Sequence, residues 1–378
     1  MKFRFFALLV MSTFTLLVNA QNTEFAKPPG VVIYNSKAVS HKYIGSPSIT
    51  ILNNGTYIAS HDQFGDLLSD SFIYESKDKG ETWTRIAEIK HLNWGKLFTK
   101  GKDLFLLGVR PKGKAGYGDV VILKSLDGGH NWSSPIDGES GLLLEGFYHT
   151  APVPVVFDKG KIWKAMESRD QLDGWGNFSA FVMSVNTDVD LLKAENWSVT
   201  NKLNYDEKYL KGASAWLEGN VVAAKDGSLK NILRLHYPED DKAAMLDVAK
   251  DDMTISFNQI IDLPGATKKF HILYDKKSKK YWTLSNHILK EDRGGNVERT
   301  RNTIALAYSN DLKNWQIKEV LLHHPDIAKH GFQYLDWMID KNDIIAVSRT
   351  AWEDETGEAD SQHNANYLTF HRFKDFRK

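Results

Sequence analysis

The string Ser76-Lys-Asp78-Lys-Gly80-Glu-Thr-Trp83 returns as Ser125-Leu-Asp127-Gly-Gly129-His-Asn-Trp132, a period of 49 residues from Ser76 to Ser125. A repeat of that length implies stacked units, each a small sheet that cannot bury its faces alone. The spelling has a local logic. Asp78 and Asp127 can accept bonds from the amides of a tight turn, and Gly80 and Gly129 permit positive φ where the chain reverses. Trp83 and Trp132 then open the next strand and offer rings for packing between neighbouring sheets.

Short alternating strands separated by Gly, Asn, Asp and Lys turns continue along the chain, and no helical period competes over any long window. The first unit reads Ser46 to Leu52, Thr56 to Ser60, Ser71 to Glu75 and Trp83 to Ile89, with Asn53-Asn54-Gly55 as a hairpin turn. The second ends with Trp132-Ser-Ser-Pro-Ile136 as its outer strand, and a degraded signature without glycine, Ser309-Asn-Asp311-Leu-Lys-Asn-Trp315, closes the fifth. The sixth stops one strand short, and Val31-Val-Ile-Tyr-Asn35 can fill the gap, removing an open sheet edge. The expected fold is therefore an all-β, six-bladed β-propeller with an N-terminal strand closing the last blade. The count becomes seven if residues 200–260 hold two units.

Lys2 and Arg4, an apolar run from Phe5 to Leu17 and the small-residue site Val18-Asn19-Ala20 read as a secretory signal over residues 1–20. Residues 21–378 then form a single catalytic propeller domain, exported to the periplasm or beyond and not inserted in a membrane. The chain has no cysteine, which excludes disulfides and thiolate metal sites. The 48 basic and 48 acidic residues balance, so no global field favours nucleic acid. A monomer is expected.

In a propeller the second strands of all units end on one face. Those ends read His61-Asp62, Arg110, Glu167 with Arg169, His236, Asn286-His287 and Arg349, a concentration of polar and ionisable groups that predicts a site at the mouth. Loops on the same face add His91, Tyr148-His149, His323-His324 and His330. No cofactor is required. No metal ligand set is assigned, although thirteen histidines leave a structural metal ion open. A mouth of Arg, His, Tyr and Glu suits an anionic sugar, since arginine grips a carboxylate bidentately and histidine or tyrosine can move protons.

The repeated signature resembles the Asp box of sialidase-like propellers. Sialidases hold their substrate carboxylate with three arginines, the first in a Tyr/Phe-Arg-Ile-Pro motif. The corresponding segment here, Tyr43-Ile44-Gly45-Ser46-Pro47, lacks it. Losing one charged partner of a desolvated carboxylate costs about 2–5 kcal/mol, which argues against a sialidase. Gly45-Ser-Pro-Ser-Ile, Ala59-Ser-His61-Asp62, Tyr148-His149-Thr-Ala-Pro-Val-Pro, Ile162-Trp-Lys-Ala-Met-Glu167 and His363 to His371 are more similar to propeller enzymes that attack rhamnose–glucuronate linkages. These are the rhamnosidase and rhamnosyl-glucuronate lyase families, with ulvan lyase propellers more distant. The resemblance implies cleavage of a uronate-containing glycan by elimination or hydrolysis. His61 is then the leading catalytic candidate, with His149 as the other base and Tyr148 as acid or base partner. Arg110, Arg169 and Arg349 are candidates for the carboxylate clamp, with Lys164, Glu167, His236 and His287 as further substrate-binding residues. A non-catalytic propeller binding anionic glycans and an exo-sialidase are the alternatives.

Overall fold

Antiparallel pairing accounts for most of the structure, a computed structural model that describes residues 27–65, 69–113, 116–169 and 176–378. The expected signal segment lies outside the described residues. Helix is confined, among the described residues, to four 3-10 turns of 3 residues each.

Among the described residues the strands form five sheets. The first holds Ser48–Ile51, Tyr57–Phe64, Ser71–Ser76 and Thr84–Ile89, with Tyr43–Ile44 paired to the far end of Tyr57–Phe64. A nine-stranded sheet follows, running from Asn93–Lys100 through Asp103–Pro111, Gly118–Ser125 and Leu142–His149 to Lys161–Ser168, Ser179–Asn186 and Trp197–Val199. Two more sheets start at Ala215–Ala223 and His271–Asp275. The last joins Gly331–Asp340, Asp343–Ala351 and Tyr367–Phe373 to Val31–Asn35, so the expected closing strand is in place.

The blade count differs from the expected six or seven. Four sheets each follow a single four-strand path and form four blades, while one nine-stranded sheet occupies the remainder. The fusion has a local cause: Tyr148 pairs with Ser168 and His149 with Glu167, joining the edge of Leu142–His149 to Lys161–Ser168. A second expectation also fails. Residues 132–136 form no strand, because Pro135 lacks the N–H that a ladder needs, and Leu142–His149 takes the outer position instead.

The Asp-box turns fold as their spelling dictates. The Ser76 hydroxyl donates to Asp78 Oδ1 (2.8 Å) and accepts from Gly80 N (2.7 Å), Asp78 accepts from Thr82 N (2.9 Å), and Trp83 Nε1 donates to Gly80 O (3.2 Å). Ser125, Asp127, Gly129, Asn131 and Trp132 repeat the pattern. In the third copy Leu312 adopts φ 68°, and its N and O make the bonds to Ser309 Oγ (2.9 Å) and Trp315 Nε1 (3.0 Å). A buried leucine thus replaces the missing glycine, holding a left-handed conformation that disfavours side chains. The tryptophans pack on the preceding sheet, as Trp83 does against Phe370 at 5.5 Å between ring centroids.

Towards the axis, Asp336 ties three other sheets to its own. It accepts from Ser48 Oγ (2.7 Å), Ile49 N (2.8 Å) and Lys96 Nζ (2.5 Å), and His271 Nδ1 lies 2.6 Å away. Burial opposes this carboxylate's charge, but Lys96, His271 and Lys269 hold its pKa far below the usual range.

Candidate functional site

Three innermost strands share one irregularity. The ladder slips between Asn93 and Lys96, between Leu217 and Asn220, and between Gln333 and Asp336. At each slip one residue other than glycine has positive φ: Trp94 (55°), Glu218 (57°) and Tyr334 (56°). Such bulges re-aim a side chain, and strained backbone of this kind is retained at functional sites. Small residues make room where the chains crowd. A Cβ on Gly219 would lie 2.4 Å from Asn231 Oδ1.

Trp94 and Tyr334 line a cavity of about 530 Å³, together with Asp62, His149, Arg234, His236, Arg301, Arg349 and the rings of Phe64, Tyr117 and Phe178. Glu218 lies just behind the wall. Its Oε1 accepts from the Tyr334 hydroxyl (2.6 Å), and its Oε2 meets Arg234 Nη1 (3.0 Å). Burial would raise the pKa of Glu218, but Arg234, His149 and the Tyr334 bond hold it below its ordinary value. Burial and the neighbouring Glu218 raise the Tyr334 phenol against the opposing pull of Arg234, Arg349 and Arg301. The pair is thus a phenol donating to a carboxylate.

The other two guanidiniums converge on one neutral acceptor. Gln333 Oε1 receives Arg301 Nη1 (2.6 Å) and Arg349 Nη2 (2.8 Å), and Arg349 also lies 4.4 Å over the Tyr334 ring. Burial and repulsion from Arg234 push Arg301 down to about 9, still cationic at neutral pH. With Gln333 neutral, these charges favour an anion in the cavity.

Asp62 stands on the second strand of the first sheet. Its Oδ2 accepts from Trp94 N (2.6 Å) and its Oδ1 from Ser46 N. Burial raises its pKa despite these amides and the field of Arg349. Gly45 is required beside it, because a Cβ there would sit 1.7 Å from Asp62 Oδ1. The position that corresponds to the first arginine of sialidases cannot carry a side chain in this arrangement.

The sequence-predicted residues divide. His149, His236 and Arg349 line the cavity. His149 Nδ1 contacts Glu167 Oε2 (2.9 Å), whose other oxygen accepts from Gly219 N (3.1 Å), so Glu167 is a fully buried support. His236 pairs with Glu298. Arg169 is buried with its guanidinium 4.7 Å over Tyr117. His61, by contrast, is turned away from the cavity lining: Nδ1 contacts Asp62 O (2.8 Å), Nε2 the Tyr74 hydroxyl (3.2 Å), and the ring stacks on Tyr34 and Tyr74. Burial lowers its pKa to about 4, as suits a neutral packing residue. Lys164 is sealed in the interior, donating to Thr150 Oγ1 (2.6 Å) and Ala165 O (2.9 Å), and burial brings it down to about 7. Arg110 turns outward to Asp119 and Pro135 O. Tyr148 packs on Phe181, and His287 is outside the cavity lining.

Strand-end counting missed Glu218, Arg234, Arg301 and Tyr334, and named Asp62 only as a neighbour of His61. Arg234 lies two residues before His236 on one strand, hence on the same face, so the period-two pattern held its signal. Glu218 stands alone as a charge within the apolar run Ala215-Trp-Leu-Glu218-Gly-Asn-Val-Val.

No family model and no curated protein matches the chain. Solved structures do match it. A Dyadobacter fermentans protein of unknown function superposes with a TM-score of 0.60 at 15% identity, over 91% of this chain and 97% of that one. The GH93 α-L-arabinofuranosidase of Fusarium graminearum, bound to arabinobiose, gives 0.59 at 13%, over 91% and 97%. Trypanosoma rangeli sialidase, in complex with sialic acid, gives 0.58 at 12%, over 92% and 57%. At such identities the likeness defines the fold, a sialidase-like β-propeller.

Proposed function

We propose that this chain is an exported glycoside hydrolase acting on a carboxylate-bearing sugar. The observation that carries the reading is the Tyr334–Glu218–Arg234 chain beside Arg301 and Arg349 in one cavity. Three guanidiniums bind and orient the carboxylate. The Tyr334 oxygen attacks the anomeric carbon as Glu218 takes the phenolic proton, and Asp62, whose raised pKa favours its acid form, protonates the departing glycosidic oxygen. Water then attacks the glycosyl–tyrosine bond, giving its proton to Asp62 while Glu218 returns one to Tyr334, with net retention. A tyrosine nucleophile is a known departure from the two-carboxylate scheme. The neighbours in structure include a sialidase and an arabinofuranosidase, which supports hydrolysis of a sugar bond. We also read the nine-stranded sheet as two blade units joined at Tyr148 and His149, which brings six units around the cavity.

A uronate in a rhamnose–glucuronate linkage is the second reading, favoured by His149. Its Nδ1 is held by buried Glu167, leaving the other ring nitrogen for proton exchange with a sugar in the cavity. A panel of α-sialosides and uronate-containing glycans decides, with released sugar and unsaturated-uronate absorbance followed together. Hydrolysis lost in Tyr334→Phe supports the first reading. Unsaturated product that depends on His149 and not on Tyr334 replaces it with the second.

A further inference from the structure

Outside the catalytic cavity, the loop between Trp315–His323 and Gly331–Asp340 gathers His324, Asp326 and His330 with their donor atoms within 4.8 Å of one another. We propose that these three residues form a binding site for a divalent transition metal of the zinc class, supported by Glu353 from outside the ligand set. Nothing in the sugar chemistry uses them.

The donor geometry carries the proposal. His330 Nδ1 faces Asp326 Oδ2 at 2.7 Å and its Nε2 faces Glu353 Oε2 at 2.6 Å, so both ring nitrogens meet carboxylates. A metal entering between His330 Nδ1 and Asp326 displaces one proton to solvent and leaves Nε2–H on Glu353. That is the carboxylate–histidine–metal relay that orients metal-bound imidazoles. His324 Nδ1 accepts from the Asp326 backbone N–H at 3.1 Å, so this nitrogen is already the unprotonated one. Loading exchanges that long bond for a metal bond of about 2.0–2.1 Å. The His324 and His330 rings stack at 3.7 Å, and Trp352 meets both edge-on at 4.9 and 4.6 Å, holding the imidazoles together on one apolar wall. Two nitrogens and one carboxylate leave a fourth position for water. The set selects zinc-like ions over Ca²⁺ or Mg²⁺, which want oxygen.

The location gives the site a structural reach. His324 N donates to Asn302 O next to Arg301, and Gln362 N donates to Ala328 O within the loop. Gln362 O in turn receives the Gln333 side chain. Metal would therefore brace the loop that leads into the strand bearing Gln333 and Tyr334.

The test is metal binding by the whole protein. Zn²⁺ is titrated calorimetrically with Ca²⁺ as control, bound metal is counted after desalting, and the melting temperature is followed with Zn²⁺ and with chelator. The expected result is one Zn²⁺ per chain, no Ca²⁺, and a melting temperature raised by Zn²⁺ and returned by chelator. Asp326→Asn and His330→Gln should abolish both effects, and Glu353→Gln should weaken Zn²⁺ affinity about 10–100-fold. Circular dichroism verifies that each variant folds. Absence of Zn²⁺ binding by the wild-type chain overturns the proposal, as does undiminished binding by the folded Asp326→Asn protein.

Discussion

The outer turns and the inner bulges of this propeller are made in opposite ways. Each Asp-box turn is closed by bonds between residues no more than four apart, repeated in three places with nearly one spelling. The bulges at Trp94, Glu218 and Tyr334 share a backbone conformation but no spelling, and their side chains are held from afar: Tyr334 meets Glu218 across 116 positions of sequence. Local bonds can be copied from unit to unit because they need nothing from the neighbouring sheet. Long-range bonds differ at every unit because each must fit one partner, and that freedom is where chemistry enters an otherwise repetitive ring.

Five substitutions probe this contrast. The largest effect is expected for Tyr334→Phe, a loss of about 10²–10⁴-fold in kcat on whichever carboxylate sugar is turned over, with an unchanged melting curve; Glu218→Gln should lose as much activity and also melt lower, because buried Arg234 loses its counter-charge. Full activity in Tyr334→Phe, measured by product release, would falsify the nucleophile assignment. Next is Asp336→Asn, which leaves Lys96 buried without its counter-charge and should cost about 3–5 kcal/mol in chemical denaturation. A loss under 1 kcal/mol would mean that the axis is not held by that pair.

A subtler change concerns pH. In the proposed mechanism the rate needs Asp62 protonated and Glu218 ionised. Because Asp62 is raised and Glu218 lowered, activity should fall on the alkaline side as Asp62 loses its proton and on the acid side as Glu218 gains one. Asp62→Asn should remove the alkaline limb along with most of the rate, and an alkaline limb kept intact in that variant points to another acid. The smallest effect is expected from Asp127→Ala, one copy of a repeated exposed turn. Its bonds to Asn131 and Ser125 lower the carboxyl to about 2. That contribution is present above the ordinary carboxylate pKa and fades as pH falls from about 4 towards 2. The melting-temperature difference between wild type and Asp127→Ala should therefore shrink below pH 4, and a constant difference removes the charge explanation.

This contrast also explains what the sequence disclosed. The turns at Asp78 and Asp127, the strand that follows the first of them and the clasp at Val31 were legible because their causes are contained in short strings or in a count of strands. His61 was misleading because Asp62 follows it directly. On a strand, adjacent residues face opposite ways, so Asp62 reaches the cavity and His61 the packed sheet interior. Arg234 was missed for a related reason, since the strand was followed two residues too far, to His236. Glu218 and Tyr334 could not be placed by alternation at all. A bulge breaks the period on which such counting rests.

The clasp has a temporal consequence. Among the described residues, Val31–Asn35 finds its strand partner in Tyr367–Phe373, which is synthesised after every other described strand. Until that strand is made, Val31–Asn35 has no place to go, and the sheet of Gly331–Asp340 and Asp343–Ala351 lacks its two other strands. A chain cut short before Tyr367 would therefore present the bare edge of Asp343–Ala351, the kind of surface that proteases and aggregation find first.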